Sequence, residues 1–173
     1  MIQVKQHYLL LMVTIVATGI LFGPSRLYAA PRSGQAAPDF KVRTTSGQQV
    51  SLESFHGRVL VLDFFATWCH PCRDSIPHLV EMNKKYAKQG LSVLGMSADE
   101  DGERVVNTFA EKNRMTYPVA LAEEPTLTDY GVRSVPVMFV IDKKGRVAEV
   151  FRGFTDNVAR SSEQLIKKLL AER

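Results

Sequence analysis

Two cysteines are all that the 173 residues contain, and two thiols cannot by themselves close a structural zinc site, which needs four ligands. The other candidate ligands are scattered histidines without matching spacing. Excess charge is also missing. Lys5 and Arg26 lie in the first thirty positions, which hold no acid, so the rest of the chain carries 20 basic against 18 acidic residues. A net charge of +2 on that remainder does not imply nucleic-acid binding. No internal repeat or low-complexity tract is present. With 45% hydrophobic and 23% charged residues, the chain can bury one ordinary core, and one folded domain is expected.

The apolar run from Leu9 to Phe22 falls short of the ~20 residues that comfortably span a bilayer. It follows a short polar start containing Lys5 and is followed by "GPSR" and the small residues of "YAA", the pattern of an export signal. Residues 1–30 are thus expected to be a signal peptide cut near Ala29 or Ala30, or an uncleaved membrane anchor. Leu27 or Tyr28 occupies the place where a cleavage site has a small residue, so the two alternatives stay open. No cysteine follows the run, which sets aside a lipid-anchored lipoprotein. Residues 31–37 are expected to be a linker and 38–173 the folded domain. That domain would face a periplasmic or otherwise extracytoplasmic compartment, free or held at the inner membrane, where disulfides persist.

Both cysteines fall in "DFFATWCHPCRDSIP", residues 63–77, three positions apart. A disulfide closing so short a loop stabilises little, which suits a bond that is opened and closed. Before the motif, "RVLVLDFFA" is nearly continuous apolar sequence, as expected of a central strand covered on both faces. After it, Ile76, Leu79, Val80 and Ala87 fall at helical spacing with Cys72 from His70 to Gln89, and Gly90 supplies a stop. "LSVLGMSA" reads as a second strand, residues 102–113 as a helix and "YPVALA" as a short extended segment. "VPVMFVID" and "RVAEVFRG" read as a hairpin across "KKG", and residues 157–171 as the last helix. Upstream, "DFKVRTTSGQQVSL" reads as another short hairpin. The expected fold is an α/β sandwich around a mixed sheet.

A cysteine in the first turn of a helix lies among unpaired backbone N–H groups at the positive end of the macrodipole, which favours its thiolate. Cys69 is therefore the expected nucleophile. Cys72, one turn further on and facing inward, is the expected resolving thiol. Pro71 fits the first turn, where its missing N–H costs nothing.

With these features the sequence resembles thioredoxin, and within that superfamily the exported TlpA/ResA-type thiol-disulfide oxidoreductases. The resemblance runs from about Pro38 to the end and includes an extra N-terminal β-hairpin. "WCHPC" matches the active-site signature, specific where it joins a strand to a helix. Pro77 falls at the helix-kinking proline, Asp63 at the buried acid, Pro136 of "GVRSVPVMFVID" at the cis-proline and Gly153 after the last strand. The resemblance implies a thioredoxin-like sandwich, reduction of protein disulfides and a membrane electron donor, with cytochrome c maturation as one setting. It implies no cofactor or bound metal, and a monomer is expected. Relatives that reduce apocytochrome c often carry a glutamate three residues after the second cysteine, where this chain has Ser75. A cis bond before Pro136 would leave the backbone of Val135 free to pair with an extended client.

Asp63 lies between apolar residues, where a charge is costly to bury, and its expected role is to take and return the Cys72 proton. Trp68 is either core or an apolar collar around the sulfurs, with the collar favoured by its place before Cys69. His70 would either raise the thiolate fraction in its positive form or stand solvated at the helix tip. A thiol peroxidase of the peroxiredoxin type is the competing enzyme, but its P-x-x-x-T-x-x-C pattern finds Leu62 and Ala66 at the proline and threonine positions. A copper-binding chaperone is the non-enzymatic alternative, and it would need further Met or His ligands near the pair.

Overall fold

The computed structural model describes residues 30–172. The signal peptide or anchor expected at residues 1–30 lies outside them but for Ala30. Two short strands, β1 (Lys41–Arg43) and β2 (Gln49–Ser51), pair antiparallel as the N-terminal hairpin. The central strand β3 (Val59–Phe65) is buried along its whole length, Asp63 included, in keeping with its nearly continuous apolar run. It pairs in parallel with β4 (Leu91–Ser97), which is extended by β5 (Val119–Leu121). On its other side β3 pairs antiparallel with β6 (Val137–Ile141), and β6 with β7 (Val147–Arg152), giving the mixed order β5-β4-β3-β6-β7.

Among the described residues four α-helices complete the fold: α1 (His70–Tyr86), α2 (Glu103–Lys112), α3 (Glu124–Asp129) and α4 (Asp156–Ala171). Strand alternation divides the core between two faces. Val61, Phe65, Val93 and Val140 point to the face covered by α1, α2 and α4. Leu62, Phe64, Leu94 and Phe139 point to the face covered by the hairpin and by Tyr130, just after α3. Cys72, Ile76, Leu79 and Met82 form the buried stripe of α1 at helical spacing. The helix proper ends at Tyr86 and continues as a 3-10 turn to Gln89, where Gly90 stops it in the left-handed region at φ 104°.

Two features differ from the sequence reading. α3 was not expected, and the residue directly after it holds it in place: Tyr130 packs on Phe64 and Phe139, and its hydroxyl donates to the Pro38 carbonyl at 2.7 Å. Residues 31–37, expected as a linker, lie along the start of edge strand β7. Gly34 N–H donates to Val147 O, Ala37 N–H to Gly145 O, and Val147 N–H to Gln35 O. The segment thereby covers part of a sheet edge whose backbone groups would otherwise be open to pairing.

Candidate active site

β3 delivers the chain to Cys69, which is the N-cap of α1 with an extended backbone. Its Sγ accepts the N–H of Cys72 at 3.2 Å, so one of the unpaired donors of the helix start is spent on sulfur. The two cysteines are joined, with S–S 2.05 Å. Cys69 is 5% exposed and Cys72 not at all, so what little exposure the pair has belongs to Cys69. The loop before Cys69 is pinned by a residue that the sequence reading missed. Asp99 accepts the Thr67 N–H at 2.8 Å and the Thr67 hydroxyl at 2.6 Å, and Ser97 donates to it as well. The available signal was an acid just beyond the carboxyl end of a buried strand, where α/β sheets place functional groups. Arg73 also holds this loop, its Nη2 donating to the Thr67 carbonyl at 3.0 Å.

Asp63 lies on the face of β3 that carries α1, between Gly95 and Met138 in register. It is buried and borders, with Ser75 and Pro136, a cavity of about 10 Å³, at the lower limit for one water. Its Oδ2 has no hydrogen-bond partner among the described residues. Burial disfavours the charged form and pushes the carboxyl from its usual 3.8 up to about 7. Near neutral pH this group can therefore accept a proton or return one. Ser75 adds no acid here, and its hydroxyl donates to the Cys72 carbonyl at 2.8 Å. Tyr117, in the same core cluster, has a buried hydroxyl that also lacks a partner among the described residues. Burial first, and then the nearby Asp63 charge, raise its pKa well above 10.

The Val135–Pro136 peptide is cis, as the resemblance implied. Pro136 is buried at the start of β6, and its carbonyl accepts from Gly153 N–H at 2.9 Å. Val135 is half-buried, and among the described residues neither its N–H nor its C=O has a partner. Trp68 is not core: 69% exposed, it stands at the surface beside Cys69, and His70 and Pro71 are exposed at the helix tip. Asp63 and Pro136 are thus brought together beneath α1, while Trp68, His70 and Pro71 form the outer rim. Among the described residues no group of three or more His, Cys, Asp or Glu is placed to hold a metal ion.

The sequence pattern of the AhpC/TSA family matches residues 33–150. The thioredoxin-like protein YneN of Bacillus subtilis is 34% identical over 123 residues, covering 70% of this chain and 72% of YneN. The thiol-disulfide oxidoreductase ResA of Bacillus thuringiensis is 32% identical over 137 residues, 79% of this chain and 78% of ResA. A solved thiol:disulfide interchange protein of the thioredoxin family from Chlorobium tepidum has a TM-score of 0.72 at 28% identity, over 83% of this chain and 100% of that one. Peroxidoxin BcpB of Mycobacterium tuberculosis, 24% identical with a TM-score of 0.69, shares the fold. The chain belongs to the AhpC/TSA family and, with ResA-type relatives and a CxxC at the head of α1, is a thiol-disulfide oxidoreductase.

Proposed function

We propose that the protein is exported and reduces protein disulfides by dithiol exchange through Cys69 and Cys72. The carrying observation is the asymmetry of the pair: Cys69, 5% exposed, caps the start of the helix, and Cys72 one turn further in is fully buried. In the reduced protein the Cys69 thiolate attacks one sulfur of a client disulfide, and the other client sulfur leaves as a thiolate and is protonated. Cys72 then gives its proton to Asp63 and attacks the Cys69 sulfur. The second client thiolate departs, the client is a dithiol, and Cys69–Cys72 is oxidised. A membrane electron donor returns the pair to dithiols. An extended client pairs with the free backbone of Val135 beside Pro136, with Trp68, His70 and Pro71 on its other side.

The direction is supported by Asp63. A buried carboxyl that shares a cavity with Ser75, itself bonded to the Cys72 carbonyl, opposes thiolate charge nearby, whereas strong oxidants of this fold stabilise the reduced form. Residues 1–30 would direct or anchor residues 38–173 outside the cytoplasm. Cytochrome c maturation is the setting that the ResA likeness suggests, with Ser75 in place of a second carboxyl. Peroxide reduction is not proposed, because Leu62 and Ala66 stand where that pattern needs proline and threonine. The test is reduction of a disulfide-bonded protein by the pre-reduced enzyme. Cys69→Ser should be inactive, and Cys72→Ser should accumulate a mixed disulfide visible without reductant. Equal trapping by both variants would contradict the assigned roles.

A further inference from the structure

β4 and β6 flank β3 on opposite sides, so the site has two shoulders. Pro136 and Val135 form one at the start of β6. On the other, α1 and α2 border an open cleft of about 540 Å³. Arg73, Arg104 and Lys112 line it and are exposed, Phe109 and Val105 supply apolar surface, and Thr67, two residues before Cys69, belongs to its wall. Among the described residues none of the three cations has an ion-pair partner. Arg73 is held in place, its guanidinium 5.8 Å from the centre of the Phe109 ring and bonded to Thr67 O. None of the neighbouring acids pairs with these cations among the described residues: Asp99 accepts from Thr67 and Ser97, Glu111 accepts from Asn107, and Glu100, Asp101 and Glu103 are not part of the lining.

We propose that this cleft docks an acidic stretch of the client polypeptide, carboxylates on the three cations and an apolar side chain against Phe109. The inference rests on the reductase reading above. A client cysteine held over Cys69 in an extended chain has residues on both sides of it, so the chain that pairs at Val135 continues past Cys69 on the other side. Backbone pairing at Val135 reads little side-chain identity on one side. The cleft supplies on the other the charge complementarity that steers encounter and separates partners.

Two measurements on the Arg104→Glu/Lys112→Glu variant and the unaltered protein test this. In calorimetry, a cysteine-free acidic peptide with a central leucine should bind the unaltered protein, while its basic counterpart does not; the variant should reverse that order. In turnover, matched disulfide peptides with acidic flanks should show kcat/KM about tenfold above basic ones, falling toward parity at about 0.5 M salt. The variant should invert this ratio. Equal kcat/KM for acidic, neutral and basic peptides, unaltered by the charge reversal, would overturn the proposal. If the acidic peptide binds through Arg104 and Lys112 while no disulfide peptide is reduced, the cleft stands and the reductase reading fails.

Discussion

Replacing Asp63 by Asn should stabilise the oxidised protein at alkaline pH and destabilise it slightly in acid. Burial raises the Asp63 carboxyl from 3.8 to about 7, so the folded state holds this proton more tightly than the unfolded state. Below about pH 4 both states are protonated and the site carries no ionisation cost. Between about pH 4 and 7 stability falls as pH rises, and above about 7 the full cost of roughly 4 kcal/mol is present. The Asn amide, in a place where Oδ2 has no partner among the described residues, returns about 1–2 kcal/mol of that as an unsatisfied polar group. The expected net effect is a gain of about 2–3 kcal/mol at pH 8 and a loss of about 1 kcal/mol at pH 4, where the amide penalty is nearly all that remains. Urea denaturation of both oxidised proteins at the two pH values measures it, because the other titrating groups cancel in the difference. A stability difference that stays constant across that range would refute the buried, proton-holding carboxyl. On the proposed mechanism, in which Asp63 takes the Cys72 proton, the same variant should also resolve mixed disulfides more slowly.

Tyr117→Phe removes a buried hydroxyl without a partner among the described residues, and denaturation should show a neutral effect or a gain of about 1 kcal/mol. A loss of more than about 1 kcal/mol would mean that the hydroxyl is bonded in solution. Gly95→Ala places a methyl 3.2 Å from Phe65 Cε1 and 3.4 Å from Tyr117 Cε2, in the layer that also covers Asp63. Thermal unfolding should register a loss of about 1–3 kcal/mol from overpacking; an unchanged midpoint would show that both rings yield freely.

The parts of this molecule that were legible in its sequence are those that local physics dictates. A nearly continuous apolar run such as Val59–Phe65, interrupted only by Asp63, suits a strand covered on both faces, and the residues after it start a helix whose inward stripe begins at Cys72. The N-terminal and C-terminal hairpins announced themselves by turn residues, and the likeness to ResA-type proteins supplied the buried acid and the proline at the start of β6. Missed features depend on distant partners. α3 is six residues long and has too few positions to show a period; it is anchored through Tyr130, whose hydroxyl bonds Pro38 far back in the chain. The Asp99–Thr67 tie joins two loops thirty-two residues apart, and the basic cleft draws on α1 and α2 together. Residues 31–37 looked like a linker because Pro, Gly and Ser suit a loop, yet their backbone also fits the open edge beside β7.

The reduction potential of the Cys69–Cys72 couple tests most directly whether the pair donates electrons to clients. It is measured by equilibrating the protein in thiol–disulfide buffers of set potential and counting free thiols. With the buried Asp63 carboxyl opposing thiolate charge, a value toward the thioredoxin end of the fold's range, about −270 mV, is expected. A value near the roughly −120 mV of the strong oxidant DsbA would contradict it, and would make the protein a donor of disulfides rather than their reductant.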